Sequence, residues 1–243
     1  MKKCFGLLGK KLTHSFSKNY FTALFEKLNL QHYNYELFEF ESIPSFFSFL
    51  NQHTEICGFN VTLPYKESIV PFLSALSPQA KEVAAVNCVK KEGSNWIGHN
   101  TDGPAFLNSL STFLPKNFAE SSLIIGNGGA SKAIQWALKQ RNLPFQVVQR
   151  RSPEEILQIP DSLLKINKLI INTTPLGMSP NIRESPLMDY SILNSEYYLY
   201  DLIYNPKKTL FLSYGMAQNS HCKNGLEMLY GQADLSWDFW QNS

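Results

Sequence analysis

The chain has 243 residues, of which 44% are hydrophobic, and this length allows one large globular domain or two small ones. Its 22 basic and 20 acidic side chains give a formal charge of +2, which is too small an excess to drive binding to phosphate backbones or anionic membranes. We therefore expect a small-molecule partner, with neither nucleic acid nor a membrane as partner.

The cysteines and the apolar runs exclude further classes of protein. The four cysteines lie far apart, with no C-x-x-C pair and no nearby histidine cluster, so we expect free thiols and no metal site. The apolar run at the N-terminus is short and is interrupted by Lys10 and Lys11. Because no apolar run approaches the roughly 20 residues that span a bilayer, we expect a cytoplasmic protein.

The first hundred residues alternate short apolar runs with amphipathic stretches. This rhythm predicts parallel strands joined by crossover helices. The runs lie at 5–9, 19–28, 33–38, 43–50 and 56–61. Two further extended pieces, 87–90 and 95–98, flank Glu92-Gly93 and predict a hairpin.

A second alternation begins near Ser121 and predicts a second α/β unit. A helix is predicted over 131–141, because its apolar residues recur one helical turn apart. The predicted strands lie at 123–125, 145–149, 169–172 and 197–204. Ser152 begins a string typical of a helix start, a helical tail covers 225–240, and we expect the hinge between the units near Gly103.

A glycine-rich string follows the first strand of this second unit. Gly126-Asn127-Gly128-Gly129-Ala130 stands between a predicted strand and a predicted helix. Glycines permit a tight turn and close approach of the backbone, while the amides and the positive end of the helix dipole attract a pyrophosphate. The spacing G-x-G-G-A differs from G-x-G-x-x-G, and a purely structural turn is the alternative interpretation.

The end of the next strand distinguishes between two dinucleotides. About 20 residues after the glycines, where an NAD enzyme presents an acidic group to the ribose, the sequence has Gln149-Arg150-Arg151. Two cations cannot accept a hydrogen bond from a 2′-hydroxyl, but they can pair with a 2′-phosphate. The sequence therefore favours NADP, against the alternative of two solvated arginines.

Polar side chains follow apolar strands at three places in the first unit. They lie at 13–17, 60–66 and 100–103. Because the loops after parallel strands converge on one crevice, hydroxyls, amides, one amine and one carboxylate would meet there. Such a set suits a small polyhydroxylated acid, which many hydrogen bonds must hold.

These residues belong to strings that resemble those of a known family. The sequence is similar to the shikimate dehydrogenase family along nearly its whole length. Eight strings match in the family's order. They are His14-Ser15-Phe16-Ser17, Asn60 to Glu67, Ala85-Val86-Asn87, Gly98 to Gly103, Gly126 to Ala130, Asn172 to Met178, Asp201 to Pro206 and Asn224 to Leu229.

The resemblance implies a fold of two open α/β domains, the second a Rossmann-like, doubly wound dinucleotide-binding domain. Residues 1–102 and 219–243 would form the substrate-binding catalytic domain, and residues 103–218 the NADP-binding domain. The implied reaction is the reversible, NADP-dependent reduction of 3-dehydroshikimate to shikimate, in the biosynthesis of chorismate and the aromatic amino acids. A monomer or a homodimer is expected.

The resemblance also assigns residues. Ser15, Ser17 and Tyr204 would bind the substrate carboxylate, and Thr62, Asn87, Asp102 and Gln232 the ring hydroxyls. The residues implied for the cofactor are Gly126, Asn127, Gly128, Gly129, Ala130, Gln149, Arg150, Arg151, Thr174, Leu202 and Gly225.

Lys66 and Asp102 are the implied catalytic pair. Hydride delivery to a ketone builds negative charge on oxygen, which a nearby ammonium stabilises and can protonate. Asp102 would orient Lys66 and keep it charged. The structural alternatives are a surface lysine at the start of a helix for Lys66 and a helix N-cap for Asp102.

Two other functions fit the same strings. A quinate or dual quinate/shikimate dehydrogenase would accept an extra ring hydroxyl and often prefer NAD, against which the paired arginines argue. A non-catalytic NADP-binding regulator would have lost the amine or the carboxylate, and both Lys66 and Asp102 are present.

Overall fold

The computed structural model describes residues 2–12, 15–152 and 155–242. The chain forms two compact units, residues 1–101 with 232–243, and residues 102–231. The first division lies beside the hinge expected near Gly103. The return to the first unit occurs at Gln232, later than the expected residue 219, because His221–Asn224 pairs with a strand of the second unit.

The first unit is built on a mixed sheet. Its strands are β1 Lys3–Gly9, β2 Tyr33–Glu39, β3 Gly58–Val61, β4 Ala75–Leu76, β5 Cys88–Glu92 and β6 Asn95–His99, in the order β2-β1-β3-β5-β6-β4. Its helices are α1 Phe16–Lys27, α2 Ile43–Leu50, α3 Tyr65–Ser68 and α4 Pro78–Val83. Strands β1, β2 and β3 are parallel, as the alternation of apolar runs predicts, while β5 runs antiparallel to both of its neighbours and forms the predicted hairpin with β6.

The second unit has a parallel sheet with helices between its strands. The strands are β7 Ser121–Ile125, β8 Phe145–Val148, β9 Asn167–Asn172, β10 Tyr198–Asp201 and β11 His221–Asn224. The helices are α5 Asp102–Phe113, α6 Gly129–Gln140, α7 Asp161–Ile166, α8 Leu210–Ala217 and α9 Leu226–Gln241, the last of which continues into the first unit. The sheet order is β11-β10-β9-β7-β8, so the direction of winding reverses between β7 and β9. In doubly wound sheets such a reversal marks the ligand crevice.

Aromatic residues fill one side of the first sheet. Phe21 and Phe25 lie one turn apart on α1 and are buried there, as is Phe5 of β1. The helical tail contributes Trp240, whose ring lies 4.6 Å from that of Phe5 and whose Nε1 donates to the carbonyl of Val89 at 3.0 Å. The helical tail thus contributes to the core of the first unit.

Two strings of the sequence analysis fall partly on residues outside the described ranges. Thr13 and His14 belong to the polar string at 13–17, and Pro153 and Glu154 belong to the string after Ser152 that is typical of a helix start. The described residues that follow Glu154 begin no helix before Asp161, where α7 starts.

Candidate functional site

The serines expected to bind a carboxylate lie at the start of α1. Ser15 is the N-cap of this helix, and its hydroxyl accepts from the amide of Lys18 at 3.2 Å. Ser17 lies in the first turn and hydrogen bonds to Tyr35, a fully buried phenol whose pKa burial raises above its ordinary value. The Tyr35 hydroxyl donates to Oδ1 of Asn60 at 2.9 Å, which connects α1 with the end of β3.

Thr62 and Lys66 follow β3, and their backbones are held on both sides. The amide of Thr62 donates to the carbonyl of Leu8 at 2.9 Å, and the carbonyl of Lys66 accepts from the amide of Val86 at 2.7 Å. Between them, the hydroxyl of the buried Tyr65 donates to the carbonyl of Phe40 at 2.6 Å. The Lys66 side chain therefore projects, half-buried, from a short helix whose position is fixed.

The side-chain amide of Asn87 forms two hydrogen bonds with Thr101. Its Nδ2 donates to Oγ1 of Thr101 at 2.8 Å, and its Oδ1 accepts from the Thr101 amide at 2.7 Å. Asn87 is only 2% exposed, and Thr101 is fully buried. Because Asp102 follows Thr101 directly, this pair fixes the backbone from which Asp102 continues.

A buried network extends from Asn87 to the C-terminal helix. Thr101 Oγ1 donates to the carbonyl of Gln232 at 3.1 Å and lies 3.2 Å from Oγ of Ser236. Nδ2 of Asn60 donates to Ser236 Oγ at 2.9 Å and to the carbonyl of Asn87 at 3.2 Å. The polar strings of the first unit thus meet in one hydrogen-bonded cluster. The sequence analysis did not single out Ser236, and its helical spacing from Gln232 was the available signal.

In the second unit, the glycine string forms a tight turn between β7 and α6. Gly126 has a φ of +106°, and its amide donates to the carbonyl of Val148 at 2.8 Å. A Cβ at Gly126 would lie 2.6 Å from Oγ1 of Thr173, whereas a Cβ at Gly128 would meet nothing within 4 Å. Gly128 is the N-cap of α6 and, as a glycine, provides no side-chain cap. The amino end of this helix therefore keeps the amides and the space that an anion needs.

The residues expected at the 2′-phosphate follow β8 directly. Gln149, Arg150 and Arg151 are exposed. The bond from Gly126 to Val148, the last residue of β8, brings this segment to the glycine turn. The Arg151 amide donates to a carboxylate oxygen of Glu155, which leaves its guanidinium outside that contact.

Thr174 lies in the loop after β9, where Asn172 holds it. Oδ1 of Asn172 accepts from the Thr174 amide at 3.1 Å and from its hydroxyl at 2.6 Å. Nδ2 of Asn172 donates to Oδ1 of Asp201, the last residue of β10, at 3.1 Å. Both Asn172 and Asp201 are fully buried. The sequence analysis placed both in family strings without a role, although a polar residue that ends an apolar strand is a visible signal.

Leu202, Tyr204 and Gly225 follow β10 and β11. A Cβ at Gly225 would lie 2.1 Å from the carbonyl oxygen of Leu202, so only glycine fits there. The Gly225 amide donates to the carbonyl of Ile203 at 3.2 Å, which joins the two loops. Burial raises the pKa of the Tyr204 phenol above its ordinary value, so it stays a neutral hydrogen-bond donor at pH 7.

His99 makes structural contacts through its ring. Its Nδ1 lies 2.7 Å from Oγ of Ser77, and its ring stacks on Phe239 with centroids 4.5 Å apart. Burial lowers the pKa of His99, which keeps it neutral.

The structure assigns the expected residues to two sets. The first unit holds Ser15, Ser17, Thr62, Lys66, Asn87 and Gln232. The second unit holds Asp102, Tyr204 and the residues expected at the cofactor. Over residues 2–12, 15–152 and 155–242, no group of three or more His, Cys, Asp or Glu side chains could hold a metal ion. Within the same ranges, no helix has the length and apolar character needed to cross a membrane.

Comparison with known proteins gives consistent matches. The family model for the shikimate dehydrogenase substrate binding domain matches residues 7–89. The curated shikimate dehydrogenase (NADP(+)) of Caldicellulosiruptor saccharolyticus is 33% identical, over 99% of this chain and 92% of the relative.

Solved structures agree over the same length. The shikimate dehydrogenase of Aquifex aeolicus superposes with a TM-score of 0.86 at 29% identity, covering 99% of this chain and 92% of that one. The shikimate 5-dehydrogenase of Thermus thermophilus, solved with NADP(H) and shikimate, gives 0.83 at 28% identity, covering 98% and 93%.

Proposed function

The chain belongs to the shikimate dehydrogenase family, and from this premise we infer that it is an NADP-dependent oxidoreductase that interconverts 3-dehydroshikimate and shikimate. The conclusion rests on one observation, the 33% identity to a curated NADP-dependent relative over 99% of the chain. The reaction oxidises a CH–OH group of shikimate to a ketone with NADP⁺, and in the reverse direction NADPH reduces that ketone to the CH–OH group; the family places it in the biosynthesis of chorismate.

The second unit suits a dinucleotide phosphate. The amino end of α6 has no side-chain cap, and open space lies above Gly128, so the turn can receive a pyrophosphate. Arg150 and Arg151 would pair with the 2′-phosphate. Further contacts would come from Gly126, Asn127, Gly129, Ala130, Gln149, Thr174, Leu202 and Gly225. We assign NADP binding to this unit and substrate binding to the first.

The first unit suits a small hydroxylated acid. Ser15, Ser17 and, from the second unit, Tyr204 would bind the carboxylate through hydroxyl donors. Thr62, Asn87, Asp102 and Gln232 would bind the ring hydroxyls. The buried amide of Asn87 is already oriented by Thr101, so little rearrangement would be needed when the substrate arrives.

Lys66, oriented by Asp102, would transfer the proton. NADPH, when bound, supplies the hydride for the carbonyl carbon. The ammonium of Lys66 would stabilise the negative charge that develops on the carbonyl oxygen and donate a proton from Nζ to it. Asp102 would keep Lys66 charged and oriented, and in the reverse direction the neutral amine of Lys66 would accept the proton.

The test is a matrix of two substrates and two cofactors. The purified protein is mixed with shikimate or quinate and with NADP⁺ or NAD⁺, and the absorbance of reduced nicotinamide is followed. We expect the highest kcat/KM with shikimate and NADP⁺. Preference for quinate and NAD⁺ would replace the proposal by the quinate alternative, and no change in any pairing would favour a non-catalytic regulator.

Two finer expectations accompany the proposal. The protein would work in the cytoplasm, where its soluble substrate and cofactor are available. It would be a monomer or a homodimer, which sedimentation equilibrium at micromolar concentration would measure.

A further inference from the structure

Asp201 is a buried carboxylate that the proposed mechanism does not use. It ends β10, is fully buried, and lies one residue before Leu202, which the proposed function places at the cofactor. Burying a carboxylate costs free energy unless hydrogen bonds compensate it. Such a residue at a strand end, inside the ligand-binding unit, calls for an explanation.

Three donors surround this carboxylate, and they come from three segments. Oδ1 accepts from Nδ2 of Asn172 and from the amide of Ile203, both at 3.1 Å. Oδ2 accepts from the hydroxyl of Thr209, the N-cap of α8, at 2.6 Å. Asp201 therefore joins the end of β9, the loop after β10 and the start of α8 at one point. Burial still raises its pKa to about 6, although all three hydrogen bonds lower it.

The chain of contacts reaches a cofactor residue on each loop. Asn172, which donates to Asp201, accepts both the amide and the hydroxyl of Thr174. On the other side, the amide of Ile203 is bound directly, which sets the backbone next to Leu202. Carboxylate hydrogen bonds are stronger than neutral ones, so these loops are held more firmly than their turns alone would hold them.

We propose that Asp201 is a positioning residue for the cofactor, which through Asn172, Ile203 and Thr209 holds the loops carrying Thr174 and Leu202 in the binding arrangement. The inference rests on the proposed function. It assigns Asp201 no contact with either ligand, and its effect on binding is indirect.

The experiment measures NADPH affinity by fluorescence titration in the absence of shikimate. Asp201→Asn replaces the charged acceptor by a neutral amide, and Thr209→Val removes the third donor without changing residue 201. We expect Asp201→Asn to raise the Kd for NADPH about tenfold and Thr209→Val about threefold. Thr209→Ser, which keeps the hydroxyl, should restore wild-type affinity.

A matched control separates positioning from stability. Tyr200 precedes Asp201 in β10, is also fully buried, and its hydroxyl pairs with that of Ser109 at 2.8 Å. Tyr200→Phe removes a buried hydrogen bond from the same strand without touching either loop. It should lower the melting temperature while its Kd for NADPH stays within twofold of wild type.

The outcomes are distinct. If Asp201→Asn and Thr209→Val lower the melting temperature but bind NADPH as wild type does, Asp201 only stabilises the unit and the inference is overturned. Should Asp201→Asn not fold, the comparison of Thr209→Val with Thr209→Ser decides the matter alone. A wild-type protein that binds no NADPH contradicts the proposed function itself, whereas an active wild type with unaffected variants contradicts only the inference.

Discussion

The position of Lys66 is determined by backbone hydrogen bonds and not by contacts of its side chain. The bond from the Val86 amide to its carbonyl anchors the short helix that Tyr65 begins, and the buried Tyr65 hydroxyl binds a neighbouring loop. A truncated side chain at 66 should therefore leave the fold unchanged. This makes Lys66 a favourable position for testing the chemistry separately from stability.

Lys66→Ala should lower kcat by about 10²- to 10⁴-fold, because it removes the proposed proton donor and the charge that stabilises the developing oxyanion. Its Kd for NADPH should stay near the wild-type value, since the cofactor residues lie in the other unit. Steady-state kinetics and fluorescence titration measure the two effects. Lys81→Ala, at an exposed lysine of α4, is the charge-matched control, and turnover near wild type in Lys66→Ala would contradict the catalytic role.

Arg150→Ala should weaken NADPH far more than NADH, because only NADPH carries the 2′-phosphate. The loss of one charge-assisted pair predicts a difference of about 10- to 100-fold between the two cofactors. Lys139→Ala removes the same charge near the other end of α6 and should affect both cofactors little. Equal losses for NADPH and NADH in Arg150→Ala would remove the 2′-phosphate assignment.

For single residues, the sequence shows which residue types could take part in the site more readily than it shows their hydrogen-bond partners. The position of Arg150 after a strand was visible in the order of residues alone. For Asn87, by contrast, the amide faces Thr101 with both ends, a contact across 14 positions that no local pattern contains. Asp201 was visible as a polar residue that ends an apolar strand, but its role depends on donors from Asn172, Ile203 and Thr209, which the sequence did not identify.

Among the elements, the glycine turn combines two different requirements. Gly126 needs its small size and its positive φ for the turn itself, while Gly128 has an ordinary φ of −87° and open space above it. Gly126 is therefore needed for the fold of the turn, whereas Gly128 leaves space for a ligand. Two single substitutions can distinguish these roles.

Gly126→Ala should destabilise the second unit by about 1–3 kcal/mol, because alanine is strained at a φ of +106° and its Cβ would contact Thr173. Gly128→Ala should lower the melting temperature less than Gly126→Ala, because its φ is ordinary and only an N-cap preference is lost, but it should weaken NADPH binding, since its methyl group would occupy the space above the turn. Urea titration and NADPH titration of both variants test the distinction. Equal NADPH affinity in Gly128→Ala and wild type would show that the cofactor does not approach this turn.

Elements with an apolar pattern were predictable even where they are short, as for β3 and β8, and elements without such a pattern were not. Helix α2 matches its predicted bounds of 43–50, because its apolar residues fill one face of two full turns. Strands β4 and β11 lack such a pattern, since two residues or a polar His-Cys-Lys-Asn string give no alternation to detect. Helix α7 was expected to begin near Ser152, where Ser and Pro mimic a cap, but it begins at Asp161.

On the scale of the whole molecule, the first unit is discontinuous. Residues 1–101 form its sheet, and residues 232–243 complete it from the other end of the chain. Trp240 packs between Phe5 and Phe21, with ring centroids 4.6 and 5.2 Å away. The first unit thus depends on the last helix for part of its core, whereas the second unit is continuous.

Trp240→Ala should lower the stability of the first unit by about 3–5 kcal/mol, because it opens a cavity in that core and removes the bond to Val89. Hydrogen exchange should show faster exchange in β1 and β3, with β7 and β9 retaining their protection. Tyr214→Ala, at an exposed aromatic residue of α8, is the control and should change neither set. Uniformly faster exchange in all four strands would mean that the units unfold together.

Because synthesis begins at the N-terminal end, residues 1–101 are made well before the tail that completes the first unit. When Thr101 has been added to the nascent chain, 142 residues up to and including Ser243 remain to be added, which at about 5–20 residues per second takes roughly 7 to 30 s. During that interval the nascent first unit lacks Trp240, and the apolar surface around Phe5 has no cover from the tail. Part of the core of the first unit therefore stays exposed to solvent until the tail has been synthesised.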